Sequence, residues 1–407
     1  MRIAFISYEY PPDIAKGGIA TYLTHISKIL YNCGHDIEIF AASNYREGVF
    51  LESGVLIHRI KCNDVETFNS IVLNRFSMIH ESKAFDLVEC PEIHAHCLLI
   101  KEKYKKLPIV VKLHTPLFLQ SRLLNFNTSF YTKVRYFLGA LRRMKFTYYG
   151  KYEYKLDREF HQVRLSDSIY SPSLSLAKIL SNEWHINISH INVIPNPFIP
   201  PKILLDIPIQ ESDTKNVFFI GKLNPHKGIV QLIAIMKKVI REKSDVHFYL
   251  IGADQLYAAK RMIMSEFIET TMRGYEKNYS LLGALEYEDL LKYYDKMDVC
   301  VFPSLWENFP YVCLEAMSAG KAIIGSSEGG MSEMLNSESG ILLNPLQIKN
   351  WAEKILFLLE NPSKRVTLGQ AARKTVINKY NEKVIGALTE NYFKEVINRA
   401  TFSNNCV

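Results

Sequence analysis

Short apolar runs alternate with amphipathic stretches along nearly the whole chain. In the first half, residues 3–6, 37–40, 55–60, 87–89, 109–113, 168–170 and 191–194 are dense in Ile, Val, Leu and Phe and predict strands. Between them, residues 18–30, 72–82 and 175–180 repeat apolar positions three and four apart, the spacing of one helix face. Five prolines then fall between Pro195 and Pro208, a density that interrupts regular structure and predicts a connector. A second series follows, with strands at 216–220, 246–251, 279–282, 299–303, 322–325 and 340–343. Its helices are expected at 229–241, 287–295, 311–319, 331–335 and 348–359. Strands alternating with helices predict two α/β domains, each with a mostly parallel sheet. The expected boundaries are 1–195, a hinge at 196–213 that contains Asn196, 214–380, and a C-terminal helix and tail at 381–407. The helical pattern of 364–400 suggests a tail that crosses back to brace the first domain.

Composition changes this picture little. With 407 residues, 48% hydrophobic and 22% charged, the chain is too long for one core and too apolar for disorder. Seven cysteines without regular spacing argue against a disulfide framework and for a reducing compartment. The first residues read as a strand, not as a secretory leader, and no apolar run is long enough to span a bilayer. The expectation is a cytoplasmic protein, with room for contact at the inner face of the membrane.

In a parallel sheet, chemistry gathers in the loops beyond the carboxyl ends of the strands. Gly17-Gly18 closes the first such loop and opens a helix; paired glycines allow close backbone approach, and a helix N-terminus suits an anion. A plain turn fits the doublet equally well. His114, in His114-Thr115-Pro116, stands at another strand end, where it could meet a sugar or phosphate or serve only structure. Lys222 and Lys227 lie five apart in one loop and can converge on a diphosphate, with Gly228 opening the next helix. Glu307 and Glu315 stand eight apart around Phe309, Pro310 and Tyr311, with Pro310 marking a helix start. Glu315 can accept from a pair of ribose hydroxyls and Glu307 from sugar hydroxyls, while backbone N–H groups from Phe309 to Val312 face phosphates. Ser304 and Asn344 read as ordinary turn residues. Cys90, His94, His96 and Cys97 fit no tetrahedral zinc spacing, and no Asp-x-Asp pair stands in a loop, so no metal is expected.

Charge is concentrated in one place. Residues 118–160 hold nine Lys/Arg against three Asp/Glu, and twelve Phe and Tyr. Val134, Phe137, Leu138, Leu141 and Met144 fall at helical spacing among Lys133, Arg135, Arg142, Arg143 and Lys145. Two readings stand side by side: a helix packing its apolar face on its own domain, and one lying on an anionic membrane. No nucleic-acid-binding module accompanies the charge.

Residues 221–340 resemble glycosyltransferase family 4, retaining enzymes of the GT-B fold. The resemblance rests on the 221–228 loop, Leu282-Gly283, Phe302-Pro303-Ser304, Glu307 and Glu315 with Leu314-Glu315-Ala316-Met317, then Gly329-Gly330 and Glu333. It extends more loosely to Gly17-Gly18, His114-Thr115-Pro116 and Ile194-Pro195-Asn196-Pro197. It implies two Rossmann-like domains facing a cleft, a nucleotide-sugar donor (UDP- or GDP-linked) and a glycan or lipid-linked acceptor in cell-surface polysaccharide or glycolipid synthesis. No cofactor or metal is implied. By resemblance Lys222 and Lys227 bind the diphosphate, Glu315 the ribose and Glu307 the donor sugar. Gly17-Gly18 closes over the phosphates, and His114 lies near the transferred hexosyl or N-acetylhexosaminyl group. Lys222 replaces a frequent arginine and Pro310 a frequent glycine. A sugar-nucleotide epimerase of the same two-domain fold and a non-catalytic nucleotide-sugar-binding protein are the alternatives.

Overall fold

The computed structural model describes residues 1–14, 17–126, 128, 130–144 and 150–405. Its contacts divide into two compact units. The first comprises Met1–Leu117, Glu153–Ile199 and Tyr380–Val407, the second Phe118–Tyr152 and Pro200–Lys379.

The first unit is built on eight strands: β1 (Arg2–Ser7), β2 (Asp36–Ser43), β3 (Gly48–Glu52), β4 (Val55–Lys61), β5 (Leu87–Pro91), β6 (Ile109–Lys112), β7 (Ser168–Ser171) and β8 (Ile191–Val193). They lie in the order β3-β4-β2-β1-β5-β6-β7-β8. All pairings are parallel except that of β3 with β4. Every residue of β1 is buried, as expected of a parallel strand covered on both faces. The pattern did not reveal β3. An edge strand buries little, and its residues alternate between half-buried and exposed, so no apolar run marks it. The helix expected at 72–82 begins earlier, at Val65, because the Asp64 carboxylate accepts from the Thr67 N–H and caps it.

The second unit carries β9 (Asn216–Ile220), β10 (His247–Ile251), a small hairpin of β11 (Leu256–Tyr257) and β12 (Met262–Ile263), then β13 (Tyr279–Gly283), β14 (Val299–Phe302), β15 (Ala322–Ser326) and β16 (Ile341–Leu343). The six-stranded sheet runs β13-β10-β9-β14-β15-β16 and is parallel throughout. Its core is held by the helix Ile229–Glu242. Ile229, Leu232, Ile233, Met236, Val239 and Ile240 are buried at three- and four-residue intervals, each burial contributing about 1.5–3 kcal/mol.

The C-terminal pattern resolves into two helices, Pro362–Lys379 and Glu382–Asn405. The break falls at Asn381, whose side chain accepts from the N–H groups of Lys383 and Val384 and starts the second helix. That last helix returns to the first unit. The Tyr392 hydroxyl meets Ser168 Oγ at 2.7 Å, and the rings of Tyr392 and Phe393 lie against Tyr170. Gly386 permits the approach, since a Cβ there would lie 2.6 Å from the Ile29 side chain.

Candidate functional site

In the second sheet β9 pairs with β10 on one side and β14 on the other, so chain order reverses between β9 and β14. Ligands of open α/β sheets bind beyond the strand ends at such a reversal. The two loops singled out by the sequence leave the carboxyl ends of these two strands.

The loop after β9 is shaped by its own polar groups. Asn224 Oδ1 accepts from the Lys227 N–H at 2.9 Å and caps the turn Pro225–Lys227, while Asn224 Nδ2 donates to Gln255. Gly228 has φ +76°, and a Cβ there would sit 1.9 Å from the Pro303 carbonyl oxygen. Only glycine lets this turn press against the end of β14. Two bonds then tie the loops together: Leu305 N–H donates to the His226 carbonyl at 2.9 Å, and His226 Nε2 to the Trp306 carbonyl at 3.1 Å.

These contacts bring Lys227 and Glu307 into an ion pair. Ser304 Oγ donates to the same carboxylate oxygen at 3.1 Å. Burial alone would push the Glu307 carboxyl up. The Lys227 and His226 charges and the bonds from Lys227 and Ser304 outweigh it and hold the carboxyl below its ordinary range. The main chain of Glu307 is fixed from the other side, where Gly330 N–H donates to its carbonyl at 2.7 Å and Gly329 bridges to it. Ser304 is thus no ordinary turn residue. It orients Glu307, and nothing in a three-residue spacing announces that. Asn344 does serve its turn, accepting from the Leu346 N–H. Lys222 lies in the same loop but is exposed and outside the Lys227–Glu307 pair.

Pro310, in extended conformation, precedes the helix Tyr311–Ser318. Phe309 and Tyr311 bury their side chains, and Glu315 is buried one turn further on. Glu315 Oε2 accepts from the Tyr294 hydroxyl at 2.8 Å. Burial pushes its carboxyl up to about 7, with the bonds from Tyr294 and Tyr287 pulling the other way. Neither tyrosine was visible as a site residue, because each lies more than twenty positions upstream.

The first unit holds the remaining candidates. His114 follows β6; its N–H donates to Glu92 Oε2 at 2.8 Å and its ring stands edge-on to Tyr22, with centroids 5.3 Å apart. Burial, helped by the Lys112 charge, pushes its imidazole down to about 3, so it is neutral near pH 7. Beneath it Tyr22 and Tyr170 both donate to Glu89, and Lys112 Nζ donates to the Ile194 carbonyl at 2.9 Å. Five chain segments meet in this buried cluster, and no spacing in the sequence signals it. Gly17 precedes the helix Gly18–Asn32 with φ −142°. Among the described residues, a Cβ on Gly17 would meet the Glu9 carboxylate at 3.8 Å and one on Gly18 no atom within 4 Å, so their packing does not impose glycine at either position. Asn196 is buried, and its Oδ1 has no hydrogen-bond partner among the described residues.

Of the cysteine–histidine group, Cys90 and Cys97 are buried, and Cys97 precedes the helix Leu98–Lys103. His96 is spent on structure, its Nδ1 on Asn69 Oδ1 at 2.7 Å and its Nε2 accepting from the Tyr8 N–H. Among the described residues no group of three or more His, Cys, Asp or Glu could hold a metal ion.

Two family descriptions match successive halves of the chain: Glycosyltransferase Family 4 over residues 16–199, and Glycosyl transferases group 1 over residues 206–375. An uncharacterized glycosyltransferase of Methanocaldococcus jannaschii is 24% identical over 97% of this chain and 98% of its own length. Among solved structures, the sucrose-phosphate synthase of Thermosynechococcus elongatus superposes with a TM-score of 0.74 at 20% identity, covering 98% of this chain and 99% of that one. Anabaena HepE in complex with UDP-glucose gives 0.68 at 17% identity, covering 97% and 100%. Two mostly parallel sheets, both family matches and these full-length likenesses agree: the chain is a glycosyltransferase of family 4 with the GT-B fold.

Proposed function

We propose that this glycosyltransferase moves a hexose from a UDP-linked donor to a hydroxyl of a glycan or lipid-linked acceptor, with retention of anomeric configuration. The observation that carries the reading is the convergence of the Lys227 and Glu307 loops at the β9–β14 reversal, with Glu315 on the helix that follows. Lys227 and Lys222 take the diphosphate, assisted by the N-terminus of the helix Ile229–Glu242. Glu315 takes the ribose hydroxyls and Glu307 the sugar hydroxyls. His114 is assigned to the transferred sugar and Gly17-Gly18 to the phosphates on the family resemblance alone. Uridine is chosen as the base because the similar HepE fold is solved with UDP-glucose.

The acceptor oxygen bonds to the anomeric carbon on the face from which the diphosphate departs. The bond from that carbon to the phosphate oxygen breaks, and the acceptor proton passes to the leaving phosphate. The products are the glycoside and UDP. No protein nucleophile and no metal takes part in this scheme.

The test is a thermal-shift screen of UDP-, GDP- and ADP-sugars, followed by transfer assays and assignment of the product anomer by NMR. A stabilising UDP-sugar present at 100 times its Kd contributes about 2.7 kcal/mol. A product of inverted configuration would overturn the mechanism. Accumulation of an epimer from donor alone would identify an epimerase instead.

Glu315 also sets a pH dependence. An ionised carboxylate accepts from ribose hydroxyls more strongly than a protonated one, and this carboxyl is raised to about 7. Donor affinity is therefore expected to strengthen as pH rises through about 7, and to weaken below it by at most about tenfold per pH unit. Stability moves the other way. The folded protein keeps a proton that the unfolded chain releases near 4.5, so this group's contribution is lost as pH climbs toward about 7. Calorimetric titration between pH 6 and 8 checks the binding slope, and Glu315→Gln should flatten it.

A further inference from the structure

The helix Phe130–Arg142 buries none of its described side chains. Its apolar face is largely uncovered: Phe130 is 82% exposed, Tyr131 73%, Leu138 52% and Phe137 39%, while Val134 and Leu141 are half-buried. Along a helix of 3.6 residues per turn, Phe130, Val134, Phe137, Leu138 and Leu141 fall on one stripe. Lys133 borders that stripe on one side and Arg135 and Arg142 on the other, and all three are exposed. Arg143 and Met144, directly after the helix, are exposed too, Met144 at 93%. Met144 continues the stripe in the sequence pattern, while Lys145 lies outside the described residues. From Phe118 to Tyr152 the chain carries seven Lys/Arg and no Asp or Glu.

We propose that this helix is a membrane-docking surface, lying in the plane of an anionic bilayer with its Phe and Leu stripe among the acyl chains and its Lys and Arg rows at the headgroups. The charge complementarity selects the occupant. A protein groove would have to supply a matching acidic rim on both sides of the stripe, whereas an anionic bilayer presents negative headgroups along both flanks and hydrocarbon between them. Lys and Arg stems reach from the edges of the stripe to the phosphates. No helix among the described residues is long and apolar enough to cross a membrane, so the contact is peripheral. This surface stands on its own residues and does not depend on the donor-site assignments.

Flotation of the full-length chain with vesicles tests the proposal, using phosphatidylglycerol–phosphatidylcholine mixtures against pure phosphatidylcholine. Binding is expected only to the anionic vesicles and should weaken as salt is raised. Replacing Arg135, Arg142 and Arg143 together by Ser is expected to lower partitioning roughly 100-fold, since each basic residue at the surface contributes about a factor of five. Phe137→Ser with Leu138→Ser should abolish binding that survives moderate salt. Circular dichroism and UDP-sugar binding in solution, read on every variant, confirm that the fold and the donor site persist. Absence of flotation, equal flotation with neutral vesicles, or unchanged flotation of the triple variant would overturn the proposal. So would tight binding of RNA through the same arginines without any binding to vesicles.

Discussion

Lys227→Ala and Glu307→Ala are each expected to cost about 2–5 kcal/mol of transfer, roughly thirty-fold to several thousand-fold in kcat/KM. Each variant strands its partner. Without Lys227, the Glu307 carboxylate remains largely enclosed against Ser304 and His226 with its main counter-charge gone. Without Glu307, the Lys227 ammonium loses the acceptor that holds it at the strand end. The kinetic signatures should differ. Lys227→Ala removes charge from the proposed diphosphate subsite and should raise the donor Kd. Glu307→Ala should act mainly on kcat, because the contact proposed for it with the transferred sugar would strengthen as that sugar acquires positive charge. The double variant should lose less than the sum of the two, as expected of residues in contact. Initial rates with a saturating acceptor, together with donor titrations by calorimetry, measure all of these quantities. If either single variant stays within threefold of wild type, the site assignment is wrong.

Gly329→Ala is expected to destabilise the second unit by about 3 kcal/mol or more and to abolish donor binding. Gly329 has φ +85°, a region that costs a side-chain-bearing residue about 1–2 kcal/mol. A Cβ there would also lie 2.1 Å from the Glu307 carbonyl oxygen. The obstacle is backbone, so it cannot rotate away. Either the 326–330 turn or Glu307 must move, and the Gly330 N–H bond to Glu307 goes with it. Gly274→Ala is the control. Gly274 has a similar φ, +89°, but a Cβ would meet no atom within 4 Å, so that variant should show the backbone cost alone. At about 2–4 °C per kcal/mol, the difference between the two variants is readable in a thermal melt. Equal midpoints would show that the Glu307–Gly329 contact is not a rigid feature of the site.

Much of this was legible in the sequence because it is local or follows from topology. Parallel strands buried on both faces leave apolar runs such as those of β1 and β14, and the intervening helices show their period. Once a parallel sheet is expected, the loops at the strand ends become the candidate sites before any coordinate is known. The edge strand β3 escaped for the same reason that the others were found, since a strand that buries little leaves no pattern.

The pairings inside the site were not legible. Lys227 and Glu307 are 80 positions apart, and Tyr294 and Glu315 are 21 apart. Glu89 joins Tyr22 and Tyr170 across 67 and 81 positions. Such contacts depend on strand order and on turns that close to within a few ångströms, and periodicity carries neither. Lys222 and Lys227 illustrate the limit. The spacing makes them equivalent, yet one is paired with Glu307 and the other is exposed. The helix Phe130–Arg142 illustrates it again, because an amphipathic stripe looks the same whether or not a protein surface covers it.

The paired glutamates show where the division falls. The two-sheet architecture and the candidate loops at the strand ends could be read from the amino-acid sequence alone, because burial on both faces of a parallel strand and the start of a helix leave local signatures. The fold alone sets Glu307 ionised beside Lys227 and Ser304, and Glu315 raised to about 7 by burial against the bonds of two tyrosines. The physical reason is that a carboxyl's charge is set by the groups folded around it, and chain order does not record which groups those are.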